Sequence, residues 1–124
     1  MASEGYHEPL ELLSERTRAM HRAIVSLKEE LEAIDWYQQR AEACPDTQLK
    51  EILLHNKNEE IEHAMMVLEW IRRYDDDFAE RMKTYLFTEA PITGIEKAAE
   101  GTADGAAAAA APGGTLGIGA LKGR

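Results

Sequence analysis

At 124 residues, with a single cysteine (Cys44) and a net charge of −9, the chain is one small domain at most, and its acidic balance disfavours nucleic acid while attracting cations. One thiol excludes an intrachain disulfide framework and suits a reducing compartment. No basic-then-apolar leader opens the sequence and no apolar run approaches the roughly 20 residues of a membrane span, so a soluble, cytoplasmic protein with neither nucleic acid nor membrane as partner is expected.

His7-Glu8-Pro9 reads as a helix entry, with Pro9 near the first helical position. From there to about Ala43 no Gly or Pro intervenes. Leu10, Leu13, Met20, Ala23, Ile24, Leu27, Leu31 and Ile34 recur at spacings of three and four, as a long amphipathic helix requires. Cys44-Pro45-Asp46 breaks the pattern, because a residue before proline avoids helical geometry. A second helix is expected from about Pro45 to Arg73, with Leu49, Ile52, Leu53, Ala64, Val67, Leu68 and Ile71 as its apolar stripe and Arg72 and Arg73 suited to its negative end. A shorter third helix is expected from about Asp76 to Phe87, and Ala90-Pro91 is expected to end regular structure. Beyond Glu96 lie seven of the nine glycines and the run Ala106 to Ala111, a composition that suits a flexible linker. The expected organisation is a helical domain over 1–96, a linker over 97–115 and a terminal segment over 116–124.

The fold class is therefore all-α: an antiparallel two-helix hairpin plus a short third helix. Roughly 90 residues build structure, a size at which a lone core is marginal. Two long helices side by side also leave an apolar face of the pair bare. A second copy completes a four-helix bundle across an interface.

On a helical wheel, Leu53, Leu49 and Val67 fall within about 20° of Glu60, and Ala64 within about 40°. Glu60 thus interrupts the middle of the apolar stripe. His63 lies about 60° away and one turn along, so both side chains reach a common point. On the first helix, Ala23 and Tyr37 fall within about 20° of Glu30. A carboxylate on an inward face is costly unless something pairs with it. Two carboxylates and an imidazole suit a divalent first-row metal. Di-iron bundles take a Glu from each of two helices and Glu-x-x-His from each of the other two. This chain has half that set, and doubling about a two-fold axis supplies the rest.

Three long segments carry a resemblance. Glu29-Glu30-Leu31-Glu32-Ala33-Ile34-Asp35-Trp36-Tyr37-Gln38-Gln39-Arg40, His55-Asn56-Lys57-Asn58-Glu59-Glu60-Ile61-Glu62-His63-Ala64-Met65-Met66 and Leu68-Glu69-Trp70-Ile71-Arg72-Arg73 resemble the encapsulated ferritins, ferritin-like cargo proteins of encapsulin nanocompartments. The similarity covers about His7 to Ile92. Leu116-Gly117-Ile118-Gly119-Ala120-Leu121-Lys122 is similar to the short peptide by which such cargo docks in the shell, with Ala120 where a Ser is more usual. The resemblance implies a ferroxidase with a di-iron (Fe) centre ligated by Glu30, Glu60 and His63 of both chains, Glu60 being the bridging carboxylate. It further implies a secondary metal entry site at Glu29 and Glu32, with Trp36 and Tyr37 close by. Leu116, Gly117, Ile118, Gly119 and Leu121 would dock to the encapsulin shell protein. Homodimers would assemble into a ring-shaped decamer inside the nanocompartment, and the shell would hold the mineral.

The bland readings stand beside these. Without the resemblance, Glu29 and Glu32 are ordinary solvated helix charges, and Trp36, Tyr37 and Trp70 are packing. His21, about 180° from Glu30, and His55 are expected to be exposed or satisfied locally, and Met65 and Met66 to be adaptable packing. Other di-iron chemistry such as peroxide reduction, a non-catalytic manganese or zinc module, and a metal-free helical adaptor remain the alternatives.

Overall fold

The computed structural model describes residues 5–109, with side chains as far as residue 101. All regular structure among the described residues is helical: a 3-10 turn at Leu10–Leu12, then α1 (Glu15–Ala43), α2 (Thr47–Tyr74), α3 (Asp76–Tyr85) and α4 (Ile92–Ala109). The chain divides into two compact units between Ile71 and Arg72.

In the first unit, helix entry comes later than the Pro9 signal implies. Pro9 opens only the 3-10 turn, and Leu13 leaves it with extended backbone. Ser14 then caps α1, its hydroxyl accepting from Thr17 N at 3.1 Å, which satisfies one of the orphan donors at a helix start. Arg18 donates to the Leu10 carbonyl and so ties the turn back to α1. Tyr6 stacks on His21 with ring centroids 4.0 Å apart. A Cβ at Gly5 would overlap the His21 ring, so this close approach requires glycine. His21 thus packs against Tyr6, on the side of α1 opposite Glu30.

Cys44 leaves α1 with extended backbone, Pro45 comes next, and Asp46 caps α2 by accepting from Leu49 N at 2.9 Å. Lys57 Nζ donates to Gln38 Oε1 across the helices at 2.7 Å, and His63 faces Glu30. Ala19 and Ala23 line a groove of about 400 Å³ with Met66 and Trp70. Numbers fall along α2 as they rise along α1, which defines an antiparallel hairpin. Ala41, Ala64 and Ile71 are the fully buried apolar residues among those described. Leu49 and Ile52 of the expected stripe are 48% and 52% exposed, so the single chain leaves much of its apolar surface in water.

In the second unit, Asp75 caps α3 through Phe78 N at 3.0 Å, and Asp76 and Asp77 lie in its first turn, where negative charge suits the helix dipole. The helix stops at Tyr85, two residues before the expected end. Phe87 lies beyond it with a left-handed φ of 61°, a conformation that disfavours an L side chain by about 1–2 kcal/mol, and its ring is 84% exposed. The expectation that regular structure ends at Ala90-Pro91 is overturned. Pro91 starts α4, its carbonyl accepting from Gly94 N at 2.9 Å and Ile95 N at 3.1 Å. Proline lacks only an N–H that a helix start leaves unpaired anyway, and the alanines further along are strong helix formers. α4 packs against α3. It occupies residues 97–109 of the stretch expected as a flexible linker, while the rest of that stretch and Leu116, Gly117, Ile118, Gly119 and Leu121 lie outside the described residues.

Candidate metal centre

Glu30 comes from the middle of α1, and Glu60 and His63 come from one turn of α2. One ligand atom from each lies within 4.8 Å of the others. His63 Nδ1 is 3.8 Å from Glu30 Oε1 and 3.6 Å from Glu60 Oε1. A first-row ion with donors at about 2.1 Å holds neighbouring donors about 3–4 Å apart, so small rotamer adjustments bring these three onto one ion. The Glu30 and Glu60 side chains are 24% and 26% exposed, half-buried as inward-facing carboxylates should be.

The electrostatics of the cluster call for a cation. Glu30 Oε1 is buried and accepts from no donor, an arrangement that disfavours the ionised carboxylate. Glu30 is held above its ordinary value, first by hydrogen bonding with Glu60, then by burial and by the charges of Glu60 and Glu29, with His63 acting in the opposite direction. A hydrogen bond between two carboxyl groups needs a proton on one of them, so proton sharing relieves the crowding. A bound divalent ion relieves it equally, and the residue types suit iron, manganese or zinc.

His63 Nε2 faces Glu59 Oε1 at 3.9 Å, longer than a hydrogen bond but on the side where an outer partner orients a ligand imidazole. Glu59 Oε2 also faces His55 Nε2 at 3.7 Å. The i, i+4 spacing of Glu59 and His63 is visible in the sequence, but the search for an inward stripe passes over it. The Lys57–Gln38 bond is likewise missed, since no periodicity argument pairs a lysine with a glutamine on another helix.

The remaining candidate residues fall elsewhere. Glu29 and Glu32 are exposed on α1, outside the cluster, although the charge of Glu29 is felt at Glu30. Trp36 is about half exposed. Tyr37 is half-buried, with the Arg40 guanidinium 5.5 Å from its ring centre. No helix among the described residues is long and apolar enough to cross a membrane.

Comparison with known proteins identifies the family. The chain is 58% identical over 127 aligned positions to an encapsulated ferritin-like protein of Rhodospirillum rubrum, covering 98% of this chain and 91% of the relative. A ferritin-like protein of Thermotoga maritima is 45% identical over 116 positions, covering 94% and 96%. A crystal structure of a protein from Nitrosomonas europaea aligns with a TM-score of 0.69 at 61% identity, over 72% of this chain and 98% of that one. The EncFtn-like family model matches residues 5–89, and with these relatives it establishes that the chain belongs to the EncFtn-like family, the encapsulated ferritin-like proteins.

Proposed function

We propose that the chain is a ferroxidase, oxidising Fe(II) to Fe(III) with dioxygen as acceptor at a di-iron centre formed between two copies. The observation that carries this reading is the convergence of Glu30, Glu60 and His63 around a buried carboxylate oxygen that no donor meets. One chain offers two carboxylates and one imidazole. A two-fold copy doubles them to the donor set of ferritin-like di-iron bundles. The half-exposed apolar residues of α1 and α2 supply the surface on which that copy would sit.

Fe(II) is the substrate, and its transfer of electrons to dioxygen is the chemistry it brings. Glu30 and Glu60 neutralise the ion and, as flexible carboxylates, keep hold of it as its charge rises. By the family resemblance, Glu60 would be the carboxylate shared between the two ions. His63 presents Nδ1 to the cluster while its Nε2 faces Glu59. Glu29 and Glu32, exposed on the same helix as Glu30, draw cations toward it, and Trp36 and Tyr37 flank that approach.

On this reading the di-iron (Fe) centre is where the substrate iron would be held and oxidised, and the product is a mineral precursor. Encapsulation comes from the name of the Rhodospirillum rubrum relative and from the terminal segment. Leu116 to Leu121 docks the chain to an encapsulin shell in the cytoplasm, and dimers assemble into a ring-shaped decamer within it. The ferritin-like domain over 1–96 carries the metal chemistry, and the segment over 97–115 spans the distance to the shell.

Glu30→Ala and His63→Ala should abolish Fe(II)-dependent oxygen uptake with assembly retained, and unchanged uptake in either sinks the ferroxidase reading. Hydrogen peroxide consumed much faster than dioxygen would move the activity to peroxide reduction. Truncation after Pro112 should leave oxidation intact and prevent loading into a co-expressed shell. Loading of the truncated chain would refute the docking segment.

A further inference from the structure

The metal cluster needs α1 and α2 held in one axial register. Glu30 lies 13 residues before the end of α1, about 20 Å from the hairpin connection. A slide of one helical turn, about 5.4 Å, would separate ligand atoms that now lie within 4.8 Å of one another. Two features that usually fix register are weak here. Of the three fully buried apolar residues among those described, Ala41, Ala64 and Ile71, only Ile71 is large, so few large knobs are locked completely into holes. Across the cluster His63 Nδ1 stands 3.8 Å from Glu30 Oε1, beyond hydrogen-bond distance, so that contact ties the helices only weakly.

Gln38 and Lys57 lie on the connection side of the cluster. Lys57 Nζ donates to Gln38 Oε1 at 2.7 Å, part-buried and across the seam. Lys57 is three residues before Glu60, one turn away on the neighbouring side of the same face. A part-buried polar pair at a helix seam contributes little net stability, and the best-attested role of such pairs is to select register, since a slide parts the two groups.

We infer that the Gln38–Lys57 hydrogen bond is a register pin, a positioning pair that sets Glu30 opposite Glu60 and His63 before any metal arrives. The inference rests on the metal reading for its purpose, but the pin itself is testable without metal. The full chain carries nitroxide labels at Lys28→Cys and Glu62→Cys, both exposed sites, in a Cys44→Ser background diluted into unlabelled protein. Wild type should give one narrow inter-label distance. Lys57→Met, which keeps the apolar stem, should broaden it or shift it by about 5 Å, one turn. Gln38→Leu should do the same, the double variant no more than either single one, and Gln38→Glu, which keeps an acceptor for Lys57, should restore the narrow distribution.

The second measurement is Co(II) titration followed by its visible absorption. Lys57→Met should weaken Co(II) binding by about tenfold or more, as removal of outer support does at metal sites, and Gln38→Glu should not. Unchanged distances in Lys57→Met and Gln38→Leu overturn the pin, as does restoration failing in a folded Gln38→Glu. If the distances respond but wild type and Glu60→Ala bind Co(II) alike, the pin stands and the metal assignment fails.

Discussion

Replacing Glu30 by glutamine should strengthen the metal-free fold and weaken metal binding at once. In the metal-free chain Glu30 Oε1 is buried without a donor, and Glu60 and Glu29 add like charge. The amide of Glu30→Gln keeps the shape, removes the charge and supplies an N–H that can donate to Glu60. An unsatisfied buried polar group costs about 1–3 kcal/mol. The Glu30 side chain is 24% exposed, so water screens part of this and a gain of about 1 kcal/mol is expected. For a folded body of this size, that raises the thermal midpoint by about 4–8 °C. With metal the sign reverses. A ligand at a hundred times its dissociation constant stabilises by about 2.7 kcal/mol, and most of this should vanish when one of three donors loses its charge. The assay is thermal unfolding by circular dichroism at fixed protomer concentration, in chelator and in excess Co(II). A lower midpoint in chelator together with an undiminished rise in metal would refute the claim that Glu30 is a strained, metal-seeking carboxylate.

The same strain sets a pH dependence for the metal-free chain. Because Glu30 is raised above its ordinary 4.5, the folded state binds more protons than the unfolded state between that value and the folded one. Its contribution is therefore fully present below 4.5 and is lost as pH rises through the folded value. Urea midpoints should fall over that window in wild type and flatten in Glu30→Gln, and a midpoint that rises there contradicts the sign. Ser14→Ala removes the cap of α1 and should destabilise by about 1 kcal/mol, read as earlier denaturant unfolding with unchanged metal affinity. Phe87→Gly should relieve the left-handed backbone and stabilise dilute protein by up to about 1 kcal/mol after the added freedom of the unfolded chain, read as a higher thermal midpoint. A marked loss instead would mean that the ring, exposed in one chain, packs against something else.

Local chemistry makes much of this protein readable in order. Apolar spacing of three and four locates α1 and α2, and the proline at position 45 marks their junction, because these signals act within a turn or two of the chain. The wheel puts Glu30 and Glu60 on inward faces with His63 beside Glu60, and the helices do bring the three together. Errors arise where two local signals compete. Pro9 announces a helix that Ser14 starts, and Pro91, which reads as a stop, opens α4, because proline disfavours the helix before it and suits the one after it.

The pairing across helices belongs to the tertiary structure. Periodicity assigns each residue an angle on its own helix but no height against the other, so it names three candidate ligands without setting their spacing. The antiparallel packing of α1 on α2 supplies that height. It leaves Glu30 Oε1 without a donor, sets His63 Nδ1 3.8 Å from Glu30 and joins Lys57 to Gln38. The residue types and their faces are determined by the sequence alone, whereas distance, burial and the strain that makes a cation welcome exist only once two distant stretches of chain lie side by side.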